Sequence, residues 1–436
     1  MSEAVQGGAR HCRALLVSAP ASGQGKTTVT AALARRAIRD GLRVRVFKTG
    51  PDFIDPMLLQ RACGQVVHTL DLWMGGEAHC RQLLHDAAGE ADLILIEGVM
   101  GLYDGEPSSA DLAQRFGIPV LAVVDGSAMA QTFGALALGL ATYREGLPFH
   151  GVIANRIGSE RHRQMLAQSL RAPLKLLGAL PRDAAYTLPE RHLGLVQAAE
   201  IADLDARIDA AAQALGTAVD FEAIAPACFE PAAAEPMAPL LRGQRIAVGQ
   251  DAAFSFVYAA NLDLLRALGA QIRLFSPLAD AQLPDCDAVY LPGGYPELHA
   301  ARWSANKSLH AQLERHHQLG KPMLAECGGM MALFDTLVDL DGREHAMAGL
   351  LPGRCSMRPR LQALGLQAVD TPDGELRGHS FHYSELGTAM VPARRGRNPN
   401  GGKTAEAIYV DGALTASYVH FYFASNPLAA ARLFGA

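Results

Sequence analysis

The run "ALLVSA" at residues 14–19 stops at a proline and passes directly into "SGQGKTT" at 22–28. An aliphatic strand, a glycine-rich turn and a helix-forming stretch in immediate succession leave few folds open. The glycines let backbone N–H groups approach phosphate oxygens, and the start of the helix adds partial positive charge. In this pattern Gly23, Gly25, Lys26, Thr27 and Thr28 form a cradle for ATP. Lys26 is set to reach the β- and γ-phosphates, and Thr27 to ligate Mg2+. One position departs from the usual pattern: Pro20 stands five residues before Gly25, where glycine is common.

The same period continues along the chain. "RVRVF", "DLILIEG", "PVLAVVD" and "FHGVIAN" follow in the first half, and "RIAVGQ", "QIRLFS", "DAVYLPGG" and "KPMLAEC" in the second. Short continuous apolar runs between helical stretches predict buried parallel strands in right-handed βαβ units. The expected fold class is α/β with two doubly wound domains. Between the halves, residues 222–242 carry four prolines (226, 231, 236 and 239) among alanines. Such a segment sustains neither a helix nor a central strand, so it reads as a linker. The expected division is 1–221, linker 222–242, and 243–436.

Composition narrows the function. Net charge is −5 in 436 residues, which gives no electrostatic reason to expect nucleic acid or an anionic membrane as partner. The longest apolar region, at 128–143, is short and interrupted by polar residues, and reads as a buried helix, not a membrane span. Seven cysteines without CxxC spacing point to a reduced, cytoplasmic protein.

Ligands of doubly wound sheets bind at the carboxyl ends of the strands. Acids collect there: Glu97 ends one run, with Asp104 beyond it, and Asp125 ends another. Lys48, Asp52 and Asp55 share a loop with two prolines and a glycine. Each acid alone reads equally as a cap or turn residue. Together in a P-loop domain they suggest Glu97 as a second Mg2+ ligand, and Lys48, Asp52, Asp55 and Asp104 as substrate-positioning groups.

The second half has its own constellation. "KPMLAECGGMM" reads strand, Cys327, two glycines, helix, the arrangement of a nucleophile on a tight turn. A cysteine opening a helix is expected to have a lowered pKa. Gly293 and Gly294 in "LPGGYPE" offer N–H groups for an oxyanion, and His420 in "SYVHFYF" offers a base. A single buried cysteine is more often structural; the glycine pair and the histidine favour catalysis.

With these motifs in place, the C-terminal half resembles class I glutamine amidotransferase domains. The first half resembles dethiobiotin synthetase-like P-loop proteins. Nearly the whole chain is similar to the cobyrinic acid a,c-diamide synthase family. The carriers are "GPDFIDP", "EGVMGLYDG", "LPERHLGL" (188–195), "DAAFSFVYAANLDLL" (251–265), "LPGGYPE", "ECGGMM" and "GHSFHYS" (378–384). The resemblance implies that Cys327 attacks glutamine, His420 activates the thiol, and the N–H groups of Gly294 and Gly328 hold the oxyanion. It implies that MgATP phosphorylates a corrinoid acetate, and that ammonia then displaces the phosphate. Its implied partners are a corrinoid, glutamine and ATP, with a homodimer left open. Where many class I relatives carry Glu two residues after the histidine, this chain has Tyr422. His192 and His382 read equally as substrate contacts or as satisfied histidines. Cobyrinic acid is the leading substrate; hydrogenobyrinic acid or a related tetrapyrrole is the alternative. A nucleotide switch with an inactive amidotransferase domain is a third reading. It is disfavoured because Cys327 and His420 are both present and because Ala21 and Ser22 stand where the switch family's extra lysine belongs.

Overall fold

The computed structural model describes residues 8–189, 196–233 and 237–436. The chain forms two compact units, Met1–Ala234 and Glu235–Ala436. His192 lies outside the described residues.

The first unit is built on seven parallel strands: β1 (Arg10–Ser18), β2 (Val44–Thr49), β3 (His68–Leu70), β4 (Leu93–Glu97), β5 (Val120–Asp125), β6 (Phe149–Ile157) and β7 (Leu176–Pro181). Their spatial order is β3-β2-β4-β1-β5-β6-β7. Alternate residues of each strand feed two separate cores. Ala14, Leu16, Ile94, Ile96, Ala122 and Val124 face one layer of helices. Leu15, Val17, Leu93, Leu95, Leu121 and Val123 face the other. Burial on both faces is why these strands read as continuous aliphatic runs. Helix α1 (Lys26–Arg39) packs on the second face through Val29, Leu33 and Ala37. The apolar region at 128–143 contains the helix Thr132–Thr142, which turns Phe133, Ala137 and Leu140 inward. Among the described residues no helix is long and apolar enough to cross a membrane.

The segment read as a linker is in part structured. Residues Pro226–Phe229 form strand β8, antiparallel to Arg10–Arg13 of β1. The register leaves room for it, because β5 joins β1 only from Leu16 onward. Pro226 stands at the strand's first residue, where its missing N–H does least harm, and Ala227 and Phe229 are buried. At the other end Leu241 is fully buried and bonds to the Leu268 carbonyl within the second unit.

The second unit centres on parallel strands β9 (Arg245–Gly249), β10 (Gln271–Phe275), β11 (Ala288–Leu291) and β12 (Met323–Glu326), with Leu414–Ser417 parallel beside β12. The order is β10-β9-β11-β12, then Leu414–Ser417, Ala407–Asp411 and Arg394–Arg395. Two smaller sheets lie off this core and had no counterpart in the sequence reading. One carries four strands between Phe334 and Gly387; the other joins Ala363–Thr371, Gly374–His382 and the two-residue strand His420–Phe421. The doubly wound pattern therefore describes the centre of this unit, and antiparallel hairpins deliver the histidine.

Asn261 anchors that delivery. Its fully buried amide donates to the Phe421 carbonyl at 2.7 Å and accepts from the Phe423 N–H at 2.8 Å. Asn261→Ala leaves two backbone groups without partners, at about 1–3 kcal/mol each. Urea denaturation should show the second unit unfolding at distinctly lower concentration, with the transition of the first unit unmoved.

Candidate active sites

In the first unit the strand ends bring the P-loop and the acids together. Gly23 and Gly25 both have positive φ, and a side chain at Gly25 would collide with the Asn155 amide. That amide donates to the Gln24 carbonyl at 2.8 Å, so Asn155 braces the loop. The Lys26 ammonium is held by the carbonyls of Ala21 at 3.1 Å and Met100 at 2.6 Å. The Pro20 departure has a structural partner: Gly101 approaches so closely that a side chain there would meet the Pro20 carbonyl oxygen at 2.6 Å. Both loops line up on the β1–β4 seam.

Thr27 is the hub of the acidic cluster. Its hydroxyl bonds Glu97 at 2.8 Å and Asp55 at 3.2 Å. The buried Lys48 ammonium lies 2.9 Å from Asp55, 3.3 Å from Glu97 and 3.7 Å from Asp52. One cation among three carboxylates compensates only one. Burial disfavours the charge on Asp55, but Lys48 and its hydrogen bonds keep its pKa below the ordinary value. Burial and then Asp55 push Asp52 up to about 7, and burial pushes Glu97 up to about 8. Lys48 stays protonated, because Asp55 and Glu97 outweigh its own burial. Asp52 has a second role: it accepts the N–H groups of Ile54 and Asp55 at 2.8 and 3.1 Å, opening helix α2 (Ile54–Cys63).

A cavity of about 610 Å3 is lined by Lys26, Thr27, Thr28, Lys48, Glu97 and Asn155 among others. Its size suits a small-molecule site. A larger recess of about 940 Å3 borders Tyr103, Arg115 and Arg144 but contains no P-loop residue. Its two arginines are already paired, Arg144 with Asp111 at 2.7 Å and Arg115 with Glu77 at 3.3 Å. Two acids stand apart from Thr27. Asp104 is exposed and accepts the Gly101 N–H at 2.8 Å. Asp125 is paired with Arg156 at 2.7 Å and caps Ser127 at 2.9 Å.

In the second unit β12 ends at Glu326, and Cys327 follows with φ 46° and ψ −108°. A non-glycine residue in this region is strained, and such strain concentrates at functional turns. Its N–H donates to the Ser417 carbonyl at 2.7 Å. The turn is crowded by backbone. A side chain at Gly328 would lie 2.9 Å from the Gly294 nitrogen, and one at Gly329 would lie 2.1 Å from the Leu291 carbonyl. The glycines after the cysteine are therefore demanded by the close passage of the β11 end. Gly294 itself has φ 153°, and a side chain there would strike the Ala253 carbonyl at 2.1 Å.

Gly293 is where cysteine and histidine meet. A side-chain carbon at that position would lie 2.2 Å from His420 Cε1 and 3.3 Å from Cys327 Cβ. His420 pairs in register with His379 across the antiparallel ladder, and the two rings stack at 5.0 Å and 19°. The Tyr258 hydroxyl lies 2.9 Å from His379 Nδ1. Tyr422 packs edge-on against Tyr258 at 5.0 Å. Packing against a stacked imidazole thus positions the ring. His382 belongs to a separate buried group behind the cysteine: it contacts Glu406 at 3.2 Å and stacks on Tyr418 at 3.7 Å.

The expected acidic thiol is corrected by the structure. The helix after Cys327 is a single turn, Gly328–Met331, too short for a useful dipole. Burial pushes the thiol well above its ordinary value, and the Glu297 carboxylate adds to this. Burial, then His379 and His382, hold His420 well below its ordinary value. Both shifts disfavour a resting pair of thiolate and imidazolium.

Replacing Gly294 by alanine displaces the backbone beside Cys327 without touching either side chain. With Gly294 as the expected oxyanion donor, glutamine hydrolysis should fall about 10²–10³-fold. Product formation from free ammonium, measured in parallel, should be unchanged.

Comparison with known proteins bears on both units. Residues 15–196 match the CobQ/CobB/MinD/ParA nucleotide binding domain, and residues 245–428 match the CobB/CobQ-like glutamine amidotransferase domain. The chain is 60% identical over 422 residues to a hydrogenobyrinate a,c-diamide synthase from Pseudomonas aeruginosa, spanning 97% of each protein. It is 60% identical over 424 residues to one of that name from Stutzerimonas stutzeri, spanning 97% of this chain and 99% of the relative. A cobyrinate a,c-diamide synthase from Herminiimonas arsenicoxydans is 53% identical over 425 residues, 97% of this chain and 96% of its own length. With a nucleotide-binding domain and a glutamine amidotransferase domain in one chain, and relatives this similar over nearly its whole length, the protein belongs to the cobyrinate and hydrogenobyrinate a,c-diamide synthase family of amidating ligases.

Proposed function

We propose that this protein converts the a and c acetate groups of a corrin to amides, taking nitrogen from glutamine and energy from ATP. One observation carries the reading: a cysteine and a histidine flank Gly293 in a chain that also holds a P-loop cavity. At the first site Cys327 attacks the side-chain amide of glutamine while its proton passes to His420. Gly294 and Gly328 stabilise the developing oxyanion. His420 returns the proton to the departing ammonia, and water then cleaves the thioester to glutamate.

At the second site Lys26 steadies the phosphates of ATP, and the γ-phosphoryl group moves to a corrin carboxylate. Ammonia attacks the acyl phosphate and inorganic phosphate leaves. Lys48, Asp52 and Asp55 line the same cavity and are assigned to positioning the carboxylate. Asp104, which does not line the cavity, is assigned to substrate binding through its charge acting on Lys26. The donor set suits Mg2+. Glu97 Oε2 is buried with no hydrogen-bond partner among the described residues, while Thr27 touches the other oxygen. Thr27 and Glu97 would hold the ion, which needs few protein ligands when phosphates and water supply the rest; bound there, it neutralises charge on the phosphates. The ring is assigned as the metal-free one, following the names of the two relatives at 60% identity. Mass spectrometry of products from cobalt-containing and metal-free rings tests that choice.

Two variants separate the half-reactions. Cys327→Ala should lose glutamine-dependent synthesis by several orders of magnitude and keep the ammonium-dependent rate within a few-fold. Lys26→Ala should lose synthesis with either nitrogen source, because both routes need phosphoryl transfer. Near-normal synthesis by Lys26→Ala would remove ATP from the P-loop, and efficient glutamine use by Cys327→Ala would remove the nucleophile.

A further inference from the structure

Glutamine carries an α-ammonium group, and a selective glutaminase must bind it. Three carboxylates raise the cost of a thiolate at Cys327: Glu297 first, then Glu406 and Glu326. Two of them are engaged. Glu326 accepts the Phe421 N–H at 3.0 Å and the Tyr290 hydroxyl at 2.7 Å. Glu406 is paired with His382 at 3.2 Å. Glu297 differs. It is half-buried, and among the described residues no lysine, arginine or histidine forms an ion pair with it.

Its placement follows from the turn that carries it. The strand end at Gly293 and Gly294 passes Tyr295 and enters the short 3-10 helix Pro296–His299. Pro296 lies against the cysteine turn: a side chain at Gly328 would meet its Cδ at 2.8 Å. Glu297 is the next residue, on the segment that also carries Gly293 and Gly294, and of the nearby carboxylates it acts most strongly on the charge of Cys327.

We infer that Glu297 is the subsite for the α-ammonium group of the amide donor, and that it restricts the glutaminase to α-amino acid amides. The inference rests on Cys327 being the nucleophile. Burial pushes the Glu297 carboxyl up to about 7, the behaviour of a carboxylate held in a desolvated place with no cation of its own. A substrate ammonium supplies that cation. Its arrival also neutralises the charge that, after burial, most opposes ionisation of Cys327. Correct substrate thereby helps to activate the sulfur that attacks it, and an amide without the amine does not.

The test uses the full-length protein and two donors: L-glutamine, and 4-carbamoylbutanoate, the same amide without the α-amine. Ammonia release is measured for wild type, Glu297→Gln, Glu297→Asp and Cys327→Ala. Glu297→Gln should raise the KM for glutamine about 100-fold, as expected for losing a charge-assisted hydrogen bond in a desolvated site. Its kcat/KM for 4-carbamoylbutanoate should be at or above the wild-type value, because the charge opposing ionisation of Cys327 is gone, and Glu297→Asp should fall between on glutamine. Ammonium-driven synthesis should be normal in all of them, which reports intact folding. A glutamine KM within threefold of wild type in Glu297→Gln overturns the inference. So does an equal loss on both donors, which assigns Glu297 a structural role. Ammonia release by Cys327→Ala overturns the nucleophile assignment itself, a separate outcome.

Discussion

The carboxyl group of Glu326 ties the cysteine to its histidine. It ends the strand that carries Cys327, and it accepts the N–H of Phe421, the residue after His420. The Tyr290 hydroxyl occupies its other oxygen. Burial pushes this group up to about 8, against the pull of the two hydrogen bonds it accepts. A residue one step before Cys327 thus sets where a residue ninety-odd positions later can lie. The Cys327 N–H to the Ser417 carbonyl repeats the same link from the other side of the turn.

The two sites solve opposite electrostatic problems. The cysteine and histidine are buried, and burial disfavours charge on both. Charge appears there only as the reaction proceeds, where donors already in place are most effective. The P-loop site is dense with charge: Lys26, Lys48, Asp52, Asp55 and Glu97 line one cavity. Lys48 keeps these acids compact by sitting between them. That arrangement suits phosphoryl transfer, which depends on positioning and charge neutralisation more than on a covalent partner.

Much of this was legible in the chain. Strands buried on both faces leave continuous aliphatic runs, so the parallel core strands of both units could be read directly. The P-loop glycines and the glycines around Cys327 are local demands of backbone geometry, and local demands are written locally. The misreadings have a common physical origin. Pro226–Phe229 was expected to be linker because proline signals disfavour strands, yet four residues fit an edge that β5 leaves open. The two smaller sheets, one mixed and one antiparallel, went unread because their half-exposed strands lack the aliphatic signal. Cys327 was expected to be acidic from its place before a helix; desolvation and neighbouring carboxylates decided otherwise.

The sequence alone determined which chemistry the chain carries: a phosphate loop, a cysteine on a glycine turn and a histidine to serve it. Each of these is set by residue type within a few positions. Tertiary structure alone decided which groups stand beside them. Asn155 under the P-loop and His379 stacked on His420 come from distant segments, while Glu326 and Glu297 stand close in sequence to the motifs they serve. Three of the four lie inside motifs visible in the sequence, but their roles depend on what the folded sheet ends bring within a few ångströms.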